Sequence, residues 1–307
     1  VDISQMIKLL KELDNIIKKG FRQVAFNNRF LVIETMLEEK IYFNSDGADI
    51  ESRVPRVLFR SYVGASYKGK NHSITIPSGY AQLGETGGWE VASRLNLHHY
   101  VKENGSALAD AIKSESRPPT NPCDLILGPD VVGLVAHESA GHPGEADRIL
   151  GREGAQAGES YLKSDSLGLK VGSEEAMVSD DPTIPKSTGF YLFDDEGVAA
   201  KKRRLIDRGF IKDLLHNRSS AHSFSVKSNA SSRSVEYDRE PIVRMANTFV
   251  EPGNHSFEEL LEDIKEGVYI KSFMEWNIDD KRLNQRYVGM EAFLIKNGKI
   301  KRFKSKN

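Results

Sequence analysis

The stretch SESRPPTNP, Ser114–Pro122, constrains the fold of this chain more than any other. Proline has no backbone N–H and pushes the residue before it out of the α region. Pro118, Pro119 and Pro122 therefore end any helix that reaches them and hold the link extended. A helical pattern from about Trp89 to Lys113, with Ala92, Leu95, Leu97, Leu108, Ala111 and Ile112 available for packing, stops here. At 307 residues the chain exceeds the usual size of one domain. We read two, residues 1–122 and residues 123–307, in an α+β protein of mixed and antiparallel sheets with helices.

The first part opens on Ile3, Ile7, Leu10, Leu13, Ile16 and Ile17, apolar residues at helical spacing that predict an amphipathic helix ending near Gly20. From Arg22 to Lys70 the texture changes to short β-rich runs, and Asp46-Gly47 is a hairpin signal, so an antiparallel meander is expected. Ser78–Glu90 is glycine-rich but lacks the strand–GxGxxG–helix setting of a nucleotide site, and reads as a plain loop. In the second part CDLILGPD is a short buried strand, with Asp130 placed to cap the helix VVGLVAHESA. A polar stretch (residues 151–186) follows, then a strand-like GFYLFDDEG, then strands in VYIKSF and AFLIKNGKI, with Asn297-Gly298 as a last hairpin.

Composition narrows the function. Forty-three Lys+Arg against forty-four Asp+Glu leave no net basic field to draw nucleic acid. A single cysteine, Cys123, excludes an intrachain disulfide framework and zinc sites built on several cysteines. No apolar run approaches the ~20 residues that span a bilayer, and no signal peptide opens the chain, so we expect no membrane partner and a cytoplasmic setting.

The chemistry concentrates in LVAHESAGHPGEAD, Leu134–Asp147. His137 and His142 are five residues apart, and on a regular α-helix five steps turn the second imidazole roughly 140° from the first. A π-type turn of roughly 4.4 residues brings i and i+5 back toward one face. Gly141 before His142 and Pro143 after it are where the helix would loosen. With that departure the two imidazoles can hold Zn²⁺, and Glu138 beside the first is placed to act as general acid/base. Glu145 and Asp147 would orient the imidazoles, or Glu145 would itself be a ligand. Without the departure this is a buried helix, with His137 hydrogen-bonded in the core and His142 at its C-terminus. His98-His99 fall in a polar helix and read as exposed, His72 and His255 lie beside loop-like residues with no chemical companions, and His216 and His222 flank a turn that could approach a metal. Ser139 and Ser160 lack a nucleophile elbow.

LGPDVVGLVAHESAGHPGEADR resembles the HExxxH segment of the TldD/PmbA family of metallopeptidases. VSDDPT, FDDEG, EPIVRMANTFVEPG, EGVYIKSF and AFLIKNGKI are similar to its later blocks, in order, so the resemblance covers Cys123 to Ile300, and residues 1–122 more loosely. It implies zinc bound by His137 and His142, Glu138 as the catalytic residue, and the TldD type of subunit, which carries the motif. It also implies cleavage of peptides or unfolded segments by a homo-oligomer, or by a heterodimer with a PmbA-type subunit. The third ligand it implies is a cysteine in a block beyond Asn307, a position Cys123 does not match, and it implies a first domain upstream of Val1. The other reading left open is a catalytically inactive scaffold or peptide-binding subunit.

Overall fold

In a computed structural model of the chain, which describes residues 2–20, 25–76, 83–113, 119–154 and 157–301, the first part is a sheet with three helices. Helix α1 (Ile3–Gly20) buries Leu13 and Ile17 completely and packs Met6, Leu9, Leu10 and Ile16 against the same core, while Ile3 and Ile7 stay exposed. Strands β1 (Ala25–Phe43) and β2 (Asp49–Tyr67) form a long antiparallel hairpin closed at Asp46-Gly47, where Gly47 takes φ +90°, as that turn requires. Strands β3 (Lys70–Ile76) and β4 (Leu83–Thr86) both pair with β2, β4 at its middle and β3 along its last third. Leu83–Thr86 is thus a strand, not part of a plain loop. Residues 78–82 of the expected loop, and residues 114–118 of the expected boundary, lie outside the described residues.

The helical pattern after Trp89 resolves into two helices, α2 (Glu90–Arg94) and α3 (Leu97–Lys113). Asn96 between them sits at φ +46°, a left-handed conformation asparagine tolerates better than most residues. That kink turns Leu97 and Val101 into the core beside Leu13, Phe59 and Val63. The same core takes in Met290 from the second part, so the two parts share apolar packing.

Beyond Pro122, β5 (Asp124–Leu127) leads into α4 (Pro129–Ala136). Asp130 does not cap this helix. The cap is Gly128, with Pro129 as the first helical residue. Gly128 donates its N–H to Ile270 O at 2.7 Å, and a side chain at this position would overlap the Lys271 carbonyl. The start of α4 is set by how closely the sheet approaches. After α4 come α5 (Ala146–Ile149), β6 (Val178–Asp180), β7 (Arg203–Asp207), β8 (Phe210–Ile211) and α6 (Arg218–Ser223). Then follow β9 (Ser232–Arg233), β10 (Ile242–Val243), β11 (Thr248–Val250), α7 (Phe257–Glu262), β12 (Glu266–Ile278), β13 (Gln285–Lys296) and β14 (Lys299–Lys301). They build a β14-β13-β12-β5 sheet, a β11-β6-β7-β8 sheet and a β9–β10 ribbon. The only parallel pairing among the described strands, β5 with β12, makes the architecture mixed α+β as expected. Asn297-Gly298 closes the last hairpin.

GFYLFDDEG, read as strand-like, is not a strand. The Asp194 carboxylate accepts the backbone N–H groups of Glu196 (3.0 Å), Val198 (2.9 Å) and Ser232 (3.1 Å), and folds the segment into a turn. An acceptor two residues from its own backbone donors competes with a sheet ladder, and here it wins. Between β6 and β7, the fully buried Arg203 guanidinium pairs with the fully buried Asp180. Asp180 also accepts Ala246 N–H (2.9 Å) and Thr248 Oγ1–H (2.8 Å), so one carboxylate ties β11 to β6 and β7.

Two predictions follow from these burials. Arg203→Met leaves Asp180 charged and unpaired, and should lower the unfolding free energy in urea by about 3–5 kcal/mol. Adding Asp180→Asn should restore part of it, whereas equal loss in both variants would show that charge pairing is not the cause. The second concerns His216, buried against Phe224, where desolvation lowers its pKa to about 4. The folded state keeps it neutral, so as pH falls from 6.5 toward 4 only the unfolded chain gains this proton. The fold then loses up to about 3 kcal/mol, all of it gone below pH 4. His216→Gln should flatten that part of the stability–pH curve, and an unchanged slope would refute the assignment.

Candidate metal centre

Helix α4 winds normally to Ala136, and then the backbone changes. His142 N–H donates to His137 O, five residues back, so His137–Gly141 is one π turn, followed by a 3₁₀ turn at His142–Gly144. This is the departure that the five-residue spacing demands. It brings the two imidazoles edge to face, with ring centroids 4.5 Å apart. Gly141 contributes differently from the sequence reading. Its φ is an ordinary −62°, but any side chain there would overlap the Met245 sulfur. The glycine is needed for room, not for conformational freedom. Carbonyls left without helical partners are taken up by neighbours. Tyr161 Oη–H donates to Ser139 O (3.1 Å), Ser160 Oγ–H to Pro143 O (2.8 Å) and Leu215 N–H to Gly144 O (2.7 Å).

One ligand atom from each of His137, Glu138 and His142 lies within 4.8 Å of the others, and this is the only such group among the described residues. His137 is the exposed member of the group; the desolvation it keeps against the protein, then the neighbouring His142, lower its pKa to about 4. Burial, then the charges of Arg282 and Arg148, lower that of His142 to about 2. Both rings are therefore neutral near pH 7, the form that binds metal. His142 Nδ1 lies 2.8 Å from Glu145 Oε2. A proton on Nδ1 donated to that carboxylate leaves Nε2 as the free lone pair, the usual arrangement behind a zinc-bound histidine. Two neutral imidazoles and a carboxylate fit a borderline-soft cation such as Zn²⁺.

Glu145 is not free to be a ligand. Fully buried, it accepts from Arg148 Nε and from Met245 N–H (3.3 Å), with Arg244 Nη1 at 3.6 Å, in addition to His142. It orients His142, as one of the two sequence readings had it. Asp147 orients no imidazole. Its oxygens accept Val243 N–H (3.1 Å) and Arg148 N–H (2.9 Å), and so pin β10 to α5.

Three residues that sequence reasoning missed surround Glu138. Arg282, at the tip between β12 and β13, forms an ion pair with the Glu138 carboxylate, and both side chains are only 7% exposed. The Trp276 indole N–H bonds the same carboxylate. Burial and the Glu138 charge push the Tyr287 hydroxyl up to about 12. Burial raises the Glu138 pKa, and Arg282 and Arg148 oppose that rise. DDKRLN reads only as a turn, so no sequence signal marked Arg282.

The remaining candidates lie elsewhere. His98 and His99 are exposed on α3 and face Glu12 (3.0 Å) and Glu103 (3.4 Å). His216 is buried 3.3 Å from Ser220 Oγ, His222 and His255 are exposed, and none of the three belongs to the metal-capable group. The His72 side chain lies outside the described residues. Cys123 is exposed and outside the group.

Comparison with known proteins bears on the whole chain. Residues 1–111 match the model of the PmbA/TldA metallopeptidase central domain and residues 120–305 that of its C-terminal domain. A metalloprotease of Methanothermobacter thermautotrophicus is 34% identical over 86% of this chain and 55% of its own length. A zinc metalloprotease TldD homolog of Saccharolobus solfataricus is 31% identical over 61% of this chain and 40% of its own. The chain thus spans about half the length of such relatives. A Thermotoga maritima structure described as a modulator of a DNA gyrase superposes with TM-score 0.74 at 20% identity, over 98% of this chain and 64% of that one, and shows the shared fold. With both domain models matched in order across most of its length, the chain belongs to the TldD/PmbA family of metallopeptidases.

Proposed function

We propose that this chain is a TldD-type zinc metallopeptidase subunit that hydrolyses peptides or unfolded protein segments. The observation that carries the reading is the π turn, which gathers His137, Glu138 and His142 while Glu145 orients His142. His137 and His142 would hold Zn²⁺, which when bound supplies a Lewis acid for the scissile carbonyl and acidifies water toward pKa ~7. Glu138 takes the proton from the attacking water and hands it to the departing amine. Its burial favours the protonated form midway through that relay, and the Arg282 charge favours the carboxylate that starts and ends it.

The same reading includes a partner that encloses the site, either a second copy of the chain or a PmbA-type subunit. Its support is exposed apolar surface: Leu283 beside Arg282, and Val235 and Tyr237 on a loop before β10. It also includes a cytoplasmic setting, consistent with the unpaired thiol of Cys123. No helix among the described residues is long and apolar enough to cross a membrane. A second reading, a peptide-binding subunit without turnover, is favoured by one observation: the group has two imidazoles, and its carboxylate is tied to Arg282.

Elemental analysis and a peptide-cleavage assay decide between them. The purified chain should carry near-stoichiometric zinc, lost in His137→Ala. Glu138→Gln should keep the zinc and lose at least about a hundredfold in turnover. Zinc without turnover in wild type selects the second reading, and no zinc after supplementation overturns the first. The π turn is testable separately. Gly141→Ala should lower zinc content and destabilise the fold by about 1–3 kcal/mol through overlap with Met245. Met245→Ala in the same chain should restore most of both, and failure of that rescue would show that the overlap is not the cause.

A further inference from the structure

Glu138 lies close enough to His137 and His142 to join them on one ion, and carboxylates are good zinc ligands. A Glu138 bound to the metal would no longer be a free base. The structure contains a device that opposes this. Arg282 Nη1 pairs with Glu138 Oε2, while the Trp276 indole N–H bonds the same carboxylate. A guanidinium is permanently charged and weakly hydrated, so it competes well for a buried carboxylate oxygen.

The position of Arg282 does not depend on Glu138. Its Nε donates to Ala157 O (3.1 Å) and its backbone N–H to Asp279 O (3.0 Å). The Asp279 carboxylate accepts Leu283 N–H (2.9 Å), Asn284 N–H (3.0 Å) and Asn284 Nδ2–H (2.8 Å), which preassembles the tip. Asp280 fastens that tip to the segment after α5, accepting Ala157 N–H at Oδ1 (3.1 Å) and Glu159 N–H at its carbonyl (3.1 Å). Within this frame Arg282 holds φ +58°, which for a non-glycine residue costs about 1–2 kcal/mol. The arginine is thus held by its own tip and set against the one carboxylate among the metal-capable atoms.

We infer that Arg282 is a positioning residue that keeps Glu138 out of the metal's ligand set and so preserves it as a base. The inference rests on the metallopeptidase reading and deepens it. It makes the guanidinium, not the distance, the factor that decides whether Glu138 binds metal or moves protons.

The test is zinc affinity by chelator competition, with the visible spectrum of the Co²⁺-loaded chain as a second readout of the ligand set. In wild type, Glu138→Gln should leave both unchanged. Arg282→Gln should bind zinc at least about tenfold more tightly and alter the Co²⁺ spectrum, because Glu138 joins the ligands. Both changes should vanish when Glu138→Gln is added, and Arg282→Lys, which keeps a cation, should stay close to wild type. The inference is overturned if Arg282→Gln binds zinc like wild type. It is equally overturned if Glu138→Gln alone weakens binding tenfold and shifts the spectrum, a result that does not require Arg282→Gln to fold. A wild-type chain that binds neither metal is a different result: it removes the metallopeptidase reading and the inference with it.

Discussion

The buried carboxylate of Glu145 is the interaction on which the centre depends. A lone ionised group in such a place would carry a penalty of several kcal/mol. Here four donors answer it: His142 Nδ1, Arg148 Nε, Arg244 Nη1 and Met245 N–H. They come from the 3₁₀ turn, from α5 and from the segment joining β10 to β11, so a single charge locks three stretches of chain into register. One of those locks places the Met245 side chain against Gly141, and another sets which nitrogen of His142 is free. Orientation of the His142 imidazole and packing of the helix beneath it are one constraint.

The π turn is the second half of that constraint. A π turn breaks the regular ladder of helical hydrogen bonds, and in isolation it would relax to an α-helix. In this fold relaxation has no room to occur. Met245 fills the space over Gly141, Pro143 cannot continue a helical ladder, and Tyr161, Ser160 and Leu215 have already claimed the displaced carbonyls. The irregular backbone is held by its surroundings, and the imidazole pair is the consequence.

How much of this was legible follows from the range of each interaction. The two histidines, the glutamate between them and the need for a non-α backbone were readable, because spacing within six residues fixes the angular problem. Helix α1 and the Asp46-Gly47 and Asn297-Gly298 hairpins were readable for the same local reason, and β5 was readable as a strand, though not as a buried one: Asp124 and Leu125 are exposed. The helix cap was misplaced by two residues because Gly128 answers to Lys271, far along the chain. GFYLFDDEG failed as a strand because Asp194 reaches Ser232 as well as its own turn. Glu145 could be named but not assigned, since its arginines and Met245 N–H are brought to it by tertiary structure. Arg282 was invisible. It stands 144 residues from Glu138 and reaches it at the tip of the β12–β13 hairpin, which Ala157 and Glu159 hold in place.

The charges around the imidazoles explain which kind of ion such a site would favour. Glu138, Glu145, Glu153 and Asp147 face Arg148, Arg244 and Arg282, four carboxyl groups against three guanidinium groups. Four free carboxylates would suit Mg²⁺ or Ca²⁺, which prefer oxygen ligands. Here the oxygens are engaged: those of Glu138, Glu145 and Glu153 by arginines, those of Asp147 by backbone N–H groups. The donors left are the two neutral nitrogens, which suit Zn²⁺ far better than a hard ion. On the proposed reading the arginines therefore do two things at once. They make burial of the carboxylates tolerable, and by occupying those oxygens they leave nitrogen to choose the metal.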